Sequence, residues 1–142
     1  MKIGIDIGNV IIGGGDKDTF FTENYMYTPQ VVDAWSSLDN LRKANHELHL
    51  ISKCGKKVEE KSMMWLRDYA YFFVVPQHRI HFVRHRELKS PMTFALELDI
   101  FIDDREDIIE WMQFTVQYPI LFKSWEQTNA ELKAIFEKEK VK

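Results

Sequence analysis

Asp6, Ser52, Lys89, Asp103 and Asp104 stand at or just after short apolar runs, and their types suit chemistry on an anion. Asp6 ends Lys-Ile-Gly-Ile-Asp and Ser52 ends Glu-Leu-His-Leu-Ile-Ser. Lys89 follows the loop Arg86-Glu87-Leu88, and the acidic pair follows Ile-Phe-Ile. A carboxylate at a strand end can attack phosphorus to form an acyl phosphate, which splits one difficult displacement into two easier ones. Carboxylate oxygens also suit magnesium, a hard cation with octahedral oxygen ligands. A hydroxyl and an ammonium beside them can bind a phosphoryl oxygen and balance the charge that builds on it. Each residue alone has an ordinary alternative: a turn-forming aspartate, a backbone-bonded serine, a solvated lysine, an acidic pair capping the next helix. The order and placement of the whole set favour chemistry.

The elements that must position these residues alternate along the chain. Residues 2–6 read as a buried strand, and residues 11–27 as a loop or small flap carrying Gly13-Gly14-Gly15 and aromatic residues without helical period. Thr28 as N-cap and Pro29 at the first helical position, followed by Val31, Ala34, Trp35, Leu38 and Leu41, predict the first helix. A strand over 47–52 and a helix over 56–69 follow, then a short strand over 80–84 and a helix beginning at Pro91. A fourth strand over 99–104 leads to a helix with Ile108, Trp111 and Met112 on one side. A fifth strand over 115–122 precedes a last helix marked by Leu132, Ile135 and Phe136. Such alternation implies βαβ units and a parallel sheet covered on both faces, with ligands outside the carboxyl ends of its strands.

Bulk composition narrows the function classes. The chain has 142 residues, 45% of them hydrophobic, which suits a single domain spanning 1–142. A net charge of -3 gives no global basic field for nucleic acid or an anionic membrane. Only a local basic patch would serve nucleic acid, drawn from Lys53, Lys56, Lys57, Arg79, Arg84, Arg86 and Lys89; a normally charged surface is the simpler reading. No segment reads as a signal peptide or a membrane span, and the lone Cys54 excludes an internal disulfide and a thiolate zinc cluster. A reducing, cytoplasmic setting is expected. His46, His49, His78, His81 and His85 form no metal-binding helical pair, and none is assigned a ligand role. The aromatic groups Phe20, Phe21, Tyr25 and Tyr27, and Tyr69, Tyr71, Phe72 and Phe73, are expected to pack in the core or at helix edges.

Asp6-Ile7-Gly8-Asn9-Val10, Ser52, Lys89 and Asp103-Asp104, each after its strand or before its helix, resemble in this order the four motifs of the haloacid dehalogenase superfamily. The resemblance extends over essentially the whole chain. It implies an α/β fold, a three-layer α/β/α sandwich with a central five-stranded parallel sheet and no cap domain. It further implies a magnesium-dependent phosphatase or phosphotransferase, in class terms a phosphoric monoester hydrolase, acting through an aspartyl phosphate on Asp6. In that reading Asp6, Ser52 and Lys89 are catalytic, and Ser52, Lys53 and Lys89 bind phosphate. Magnesium is held by Asp6, the backbone carbonyl of Gly8, Asp103 and Asp104.

One departure bears on activity. Phosphatases of the family usually carry a second aspartate two positions after the nucleophile, where it protonates the leaving oxygen and then activates water. This chain has Gly8 there. Compensation by Asp16 or Asp18 on the flap is one way out. The alternative is a catalytically weak or inactive protein with a binding or regulatory role. Carbon–halogen cleavage on the same nucleophile is a further reading, against which the acidic pair argues. The short intervals at 11–27 and around 86–88 leave no room for a cap, so the site should be open. That suits a large phosphorylated substrate, such as a protein or a nucleic-acid end, or a small one enclosed by a second subunit of a homo-oligomer.

Overall fold

The computed structural model describes residues 1–13 and 25–142. Asp16, Asp18, Phe20 and Phe21 lie outside the described residues. The strands are β1 (Lys2–Ile5), β2 (Glu47–Lys53), β3 (Ile80–Val83), β4 (Ile100–Asp103) and β5 (Tyr118–Leu121). The α-helices are α1 (Ala34–Lys43), α2 (Lys56–Asp68), α3 (Lys89–Ala95), α4 (Glu106–Met112) and α5 (Trp125–Lys140). Among the described residues the strands form one five-stranded, all-parallel sheet in the order β3-β2-β1-β4-β5.

Strand sequences rich in isoleucine, leucine and phenylalanine suit a sheet buried on both faces. Successive side chains alternate between those faces. Ile3, Ile5, Leu48, Leu50, Ile100 and Ile102 enter one core with Leu38 of α1, Trp65 and Leu66 of α2 and Leu132 of α5. Ile51 and Phe101 enter a second core with Ile108 and Met112 of α4, against which Met92 of α3 packs. The result is a three-layer α/β/α sandwich of Rossmann type. No helix among the described residues is long and apolar enough to cross a membrane.

Gly4 sets the spacing of the central strands. A Cβ built on it would lie 2.5 Å from Leu98 Cδ1 and 2.7 Å from Phe101 Cδ2. The missing side chain lets Phe101, fully buried, lie across β1. That contact helps seat the carboxyl end of β4 beside that of β1.

Several sequence expectations need correction. The helix expected from Thr28-Pro29 begins at Ala34, because residues 28–33 are engaged by distant chain. Gly13 N–H donates to the Pro29 carbonyl and Val31 N–H to the Ile11 carbonyl, and Ile12 bridges Gln30. These tertiary bonds override a local start signal. The helix expected from Pro91 begins at Lys89, and the fifth strand is confined to Tyr118–Leu121. On α4, Ile108 and Met112 are buried but Trp111 is 39% exposed. Of the aromatic groups, Tyr71 is buried, whereas Tyr27 and Phe73 are largely exposed.

Candidate active site

The order β3-β2-β1-β4-β5 reverses direction between β1 and β4, because the chain builds outward from β1 on one side and then restarts at β4 on the other. Crevices form at the carboxyl ends of strands where such a reversal occurs. Register places Ile5 beside Ile102, and Asp6 N–H donates to the Ile102 carbonyl at 2.9 Å. Asp6 and Asp103 therefore leave adjacent strands at the same level.

Lys89, the first residue of α3, is buried between them. Its Nζ donates to Asp6 Oδ1 at 3.0 Å and to Asp103 Oδ2 at 2.8 Å. Asp103 Oδ1 also accepts from Arg105 N–H at 3.0 Å, so this aspartate additionally secures the turn into α4. Asp104, half-buried, accepts from Asn9 Nδ2 at 3.2 Å. Asp6, Asp103 and Asp104 each offer an oxygen within 4.8 Å of the others. Asp6 Oδ2 makes no hydrogen bond among the described residues.

Two carboxylates around one ammonium leave a net negative charge in a buried place. Burial accordingly pushes the Asp6 carboxyl up to about 8, against the opposing pull of Lys89 and with help from Asp103. Asp103 is raised too, chiefly by burial. Burial works against the charge on Lys89, but Asp6 and Asp103 outweigh it and its ammonium is held above the ordinary value. A bound cation would remove the imbalance. The donor set fits magnesium: three carboxylates supply hard oxygens, and the Gly8 carbonyl accepts no hydrogen bond among the described residues.

The turn after Asp6 is built by its own backbone. Ile11 and Ile12 N–H donate to the Ile7 carbonyl, and Asn9 N–H donates to the Ile12 carbonyl. Asn9 takes φ 64°, a left-handed conformation that asparagine tolerates better than most residues. Gly8 is exposed, and a Cβ there would meet nothing within 4 Å. Neither packing nor a left-handed backbone requires glycine at this position.

Ser52 and Lys53 close β2 at the same edge of the sheet. Register puts Ile5 beside Leu50, so Ser52 lies one residue beyond the level of Asp6. Its hydroxyl makes no hydrogen bond among the described residues, and the side chain is 9% exposed. The structure thus brings Asp6, Lys89, Asp103 and Asp104 into one bonded cluster, while Ser52 and Lys53 stand at its edge without a bond to it. Asn9 carries only a weak sequence signal, the tolerance of asparagine for a left-handed conformation directly after Gly8.

The basic residues do not share one rim. Arg79 precedes β3 at the opposite, amino edge, 3.7 Å from Glu47, and Arg84 is tied to Glu59 at 2.9 Å. Lys53, Lys56 and Lys57 are exposed beside Ser52. Away from the cluster, His49 joins Glu47 at 2.8 Å and His81 at 3.2 Å, a hydrogen-bonded chain across β2 and β3.

No family model and no curated protein matches the chain. Among solved structures, a chain in "Structure of the Pnkp1/Rnl/Hen1 RNA repair complex" is similar to it with a TM-score of 0.63 and 13% identity, over 86% of this chain and 42% of that one. The likeness is one of fold. This protein spans less than half the length of that chain.

Proposed function

We propose that the chain is a capless member of the haloacid dehalogenase superfamily and a magnesium-dependent phosphatase or phosphotransferase that works through an aspartyl phosphate on Asp6. The observation that carries this reading is the buried cluster at the strand reversal, where Lys89 bonds Asp6 and Asp103 at once while an Asp6 oxygen stays free. Magnesium, held by Asp6, Asp103, Asp104 and the Gly8 carbonyl, supplies charge neutralisation for an anionic substrate. Asp6 Oδ2 is the atom with a lone pair to offer phosphorus. Lys89 holds the carboxylate in place and carries positive charge beside the transferring group. Ser52, whose hydroxyl is uncommitted, donates to a phosphoryl oxygen, and Lys53 extends the anion site outward.

The interval between β3 and α3, Arg84–Leu88, contains no cap insertion. The lack of a cap at that interval suits a large phosphorylated substrate, and the exposed Lys53, Lys56 and Lys57 suit a polyanionic one. The likeness to a chain from an RNA repair complex makes a phosphorylated RNA end a sensible member of any substrate panel. The single reduced cysteine suits a cytoplasmic setting. A second reading, a binding or regulatory protein that keeps the site without turnover, is favoured by Gly8 in place of a general acid.

The test is phosphate release from an aryl phosphate and a broad phosphometabolite panel, with magnesium and with chelator, in wild type and Asp6→Asn. Magnesium-dependent release that disappears in Asp6→Asn supports the enzymatic reading. Absence of release from every compound, with magnesium still bound, moves the assignment to the binding protein.

A further inference from the structure

We propose that Glu47, His49 and His81 form an acid-sensitive latch that fastens the outermost strand β3 to β2 at neutral pH and releases it when both imidazole rings become charged. The proposal is independent of the reading of Asp6 as a nucleophile.

Side chains of a strand alternate between the two faces of the sheet. On β2, Leu48 and Leu50 enter the first core, so His49 and Ile51 turn to the other face. On β3, Ile80 and Phe82 pack against the first core, so His81 turns to the same face as His49. His49 is 7% exposed, and His81, on the strand at the edge of the sheet, is half-buried. His49 Nδ1 and His81 Nε2 lie 3.2 Å apart, and on the far side of its ring His49 Nε2 lies 2.8 Å from Glu47 Oε2. Among the described residues no other side-chain hydrogen bond joins β2 to β3.

The network dictates where its protons sit. A carboxylate only accepts, so the proton between Glu47 and His49 is on His49 Nε2. A neutral ring then offers Nδ1 as an acceptor, and the proton between the rings is on His81 Nε2. One further proton can settle on His81 Nδ1 with every bond kept. A second can go only to His49 Nδ1, where it faces the His81 N–H across 3.2 Å and the bond is lost. Two adjacent imidazolium rings also repel each other. The closed latch therefore holds one proton fewer than two free rings.

The surroundings do not relieve this. Burial, with the charges of His49 and His78, holds the His81 imidazolium below its ordinary value. The bond from His49 holds Glu47 below the usual carboxylate range, and the charges of Arg79 and Lys2 reach it as well. Arg79 lies 3.7 Å from Glu47, and Lys2 is paired with Glu97 at 3.6 Å. From α3, Met92 and Leu96 pack on this face, and both are apolar. A folded arrangement that refuses a proton is favoured above about 6.5, the ordinary imidazole value, and loses that advantage as pH falls. At pH 5 one refused proton shifts the balance toward the opened latch by about 30-fold. Val83 ends β3 and Lys89 begins α3, so release of β3 slackens the chain that carries Lys89 into the cluster.

Amide hydrogen exchange of the full chain at pH 8 and pH 5, corrected for the intrinsic pH dependence of exchange, tests this. The Cys54 amide, which donates to the Val83 carbonyl, reports on the latch, and the Tyr118 amide, which donates to the Asp99 carbonyl, reports on the far side of the sheet. Between the two pH values Cys54 is expected to lose protection by about 30-fold while Tyr118 keeps its own. In His81→Gln, whose amide can donate to His49 Nδ1 or accept from it and does not titrate, the loss at Cys54 should vanish. His46, an acid-sensitive ring beside the Met1 amino group, is unchanged in that variant and cancels from the comparison. Imidazole nitrogen shifts of the wild type give a second readout, in which the two rings should gain their protons in separate steps. Equal loss at Cys54 in wild type and His81→Gln, no loss in the wild type, or both rings titrating together near about 6.5 with Cys54 still protected, overturns the proposal.

Discussion

Replacing Lys89 with methionine keeps most of the aliphatic stem and removes the ammonium that Asp6 and Asp103 share. Lys89 is 3% exposed and Asp103 fully buried, so water cannot take over the lost bonds. Removing one partner of a buried charge pair costs about 3–5 kcal/mol, because the remaining charge stays desolvated. Here two carboxylates are stranded, which would raise the cost. The tendency of Asp6 to keep a proton up to about 8 relieves part of it. A loss of about 3–5 kcal/mol corresponds, for a domain of this size, to a fall in Tm of roughly 10–20 °C. Thermal unfolding in chelator measures this directly. Magnesium added to Lys89→Met should raise Tm by more than it does in wild type, because with the ammonium gone the ion meets a larger charge imbalance. A loss below about 1 kcal/mol, the range of a solvated surface lysine, would refute the reasoning.

Other expectations can be checked with the same protein. Asp6 is raised above its unfolded value, so its contribution to stability is complete below about 4 and is lost as pH rises through about 8. In chelator, Tm should decline across that window more steeply in wild type than in Asp6→Asn, as calorimetric scans would show. Gly4→Ala drives a methyl group against Leu98 and Phe101 and should cost about 1–3 kcal/mol in denaturant unfolding. Asn9→Gly keeps the left-handed turn but removes the bond to Asp104. With that carboxylate half-exposed the bond is worth about 1 kcal/mol, so Tm should fall by roughly 3–4 °C, and magnesium should bind more weakly to the less firmly held Asp104.

The parts of the fold that were legible in the sequence are those fixed locally. Apolar runs of strand length, separated by helical spacings, give an all-parallel sheet almost unavoidably, and the polar residues that end those runs gather at one edge as a geometric consequence. That is why the sequence alone sets Asp6, Asp103 and Asp104 at the same edge of the sheet. What the residues between 28 and 33 do was not legible, because their conformation is set by pairing with residues 11–13 rather than by the Thr28-Pro29 signal. The bond from Asn9 to Asp104 spans 95 residues, and the His49–His81 contact joins separate strands. Neither leaves a spacing pattern. The sequence also sets Lys89 beside the site as a charge-balancing group. Its simultaneous bonding to both aspartates depends on α3 starting two residues earlier than Pro91 suggests.

Titration calorimetry of magnesium into the metal-free chain at neutral pH asks most directly whether the buried aspartates form a cation site. One ion should bind per chain in wild type, with binding lost in Asp6→Asn and Asp103→Asn and weakened in Asp104→Asn. Absence of binding to the wild type, or equal binding to all three variants, would contradict the assignment of the cluster as the magnesium site of a phosphoryl-transfer centre.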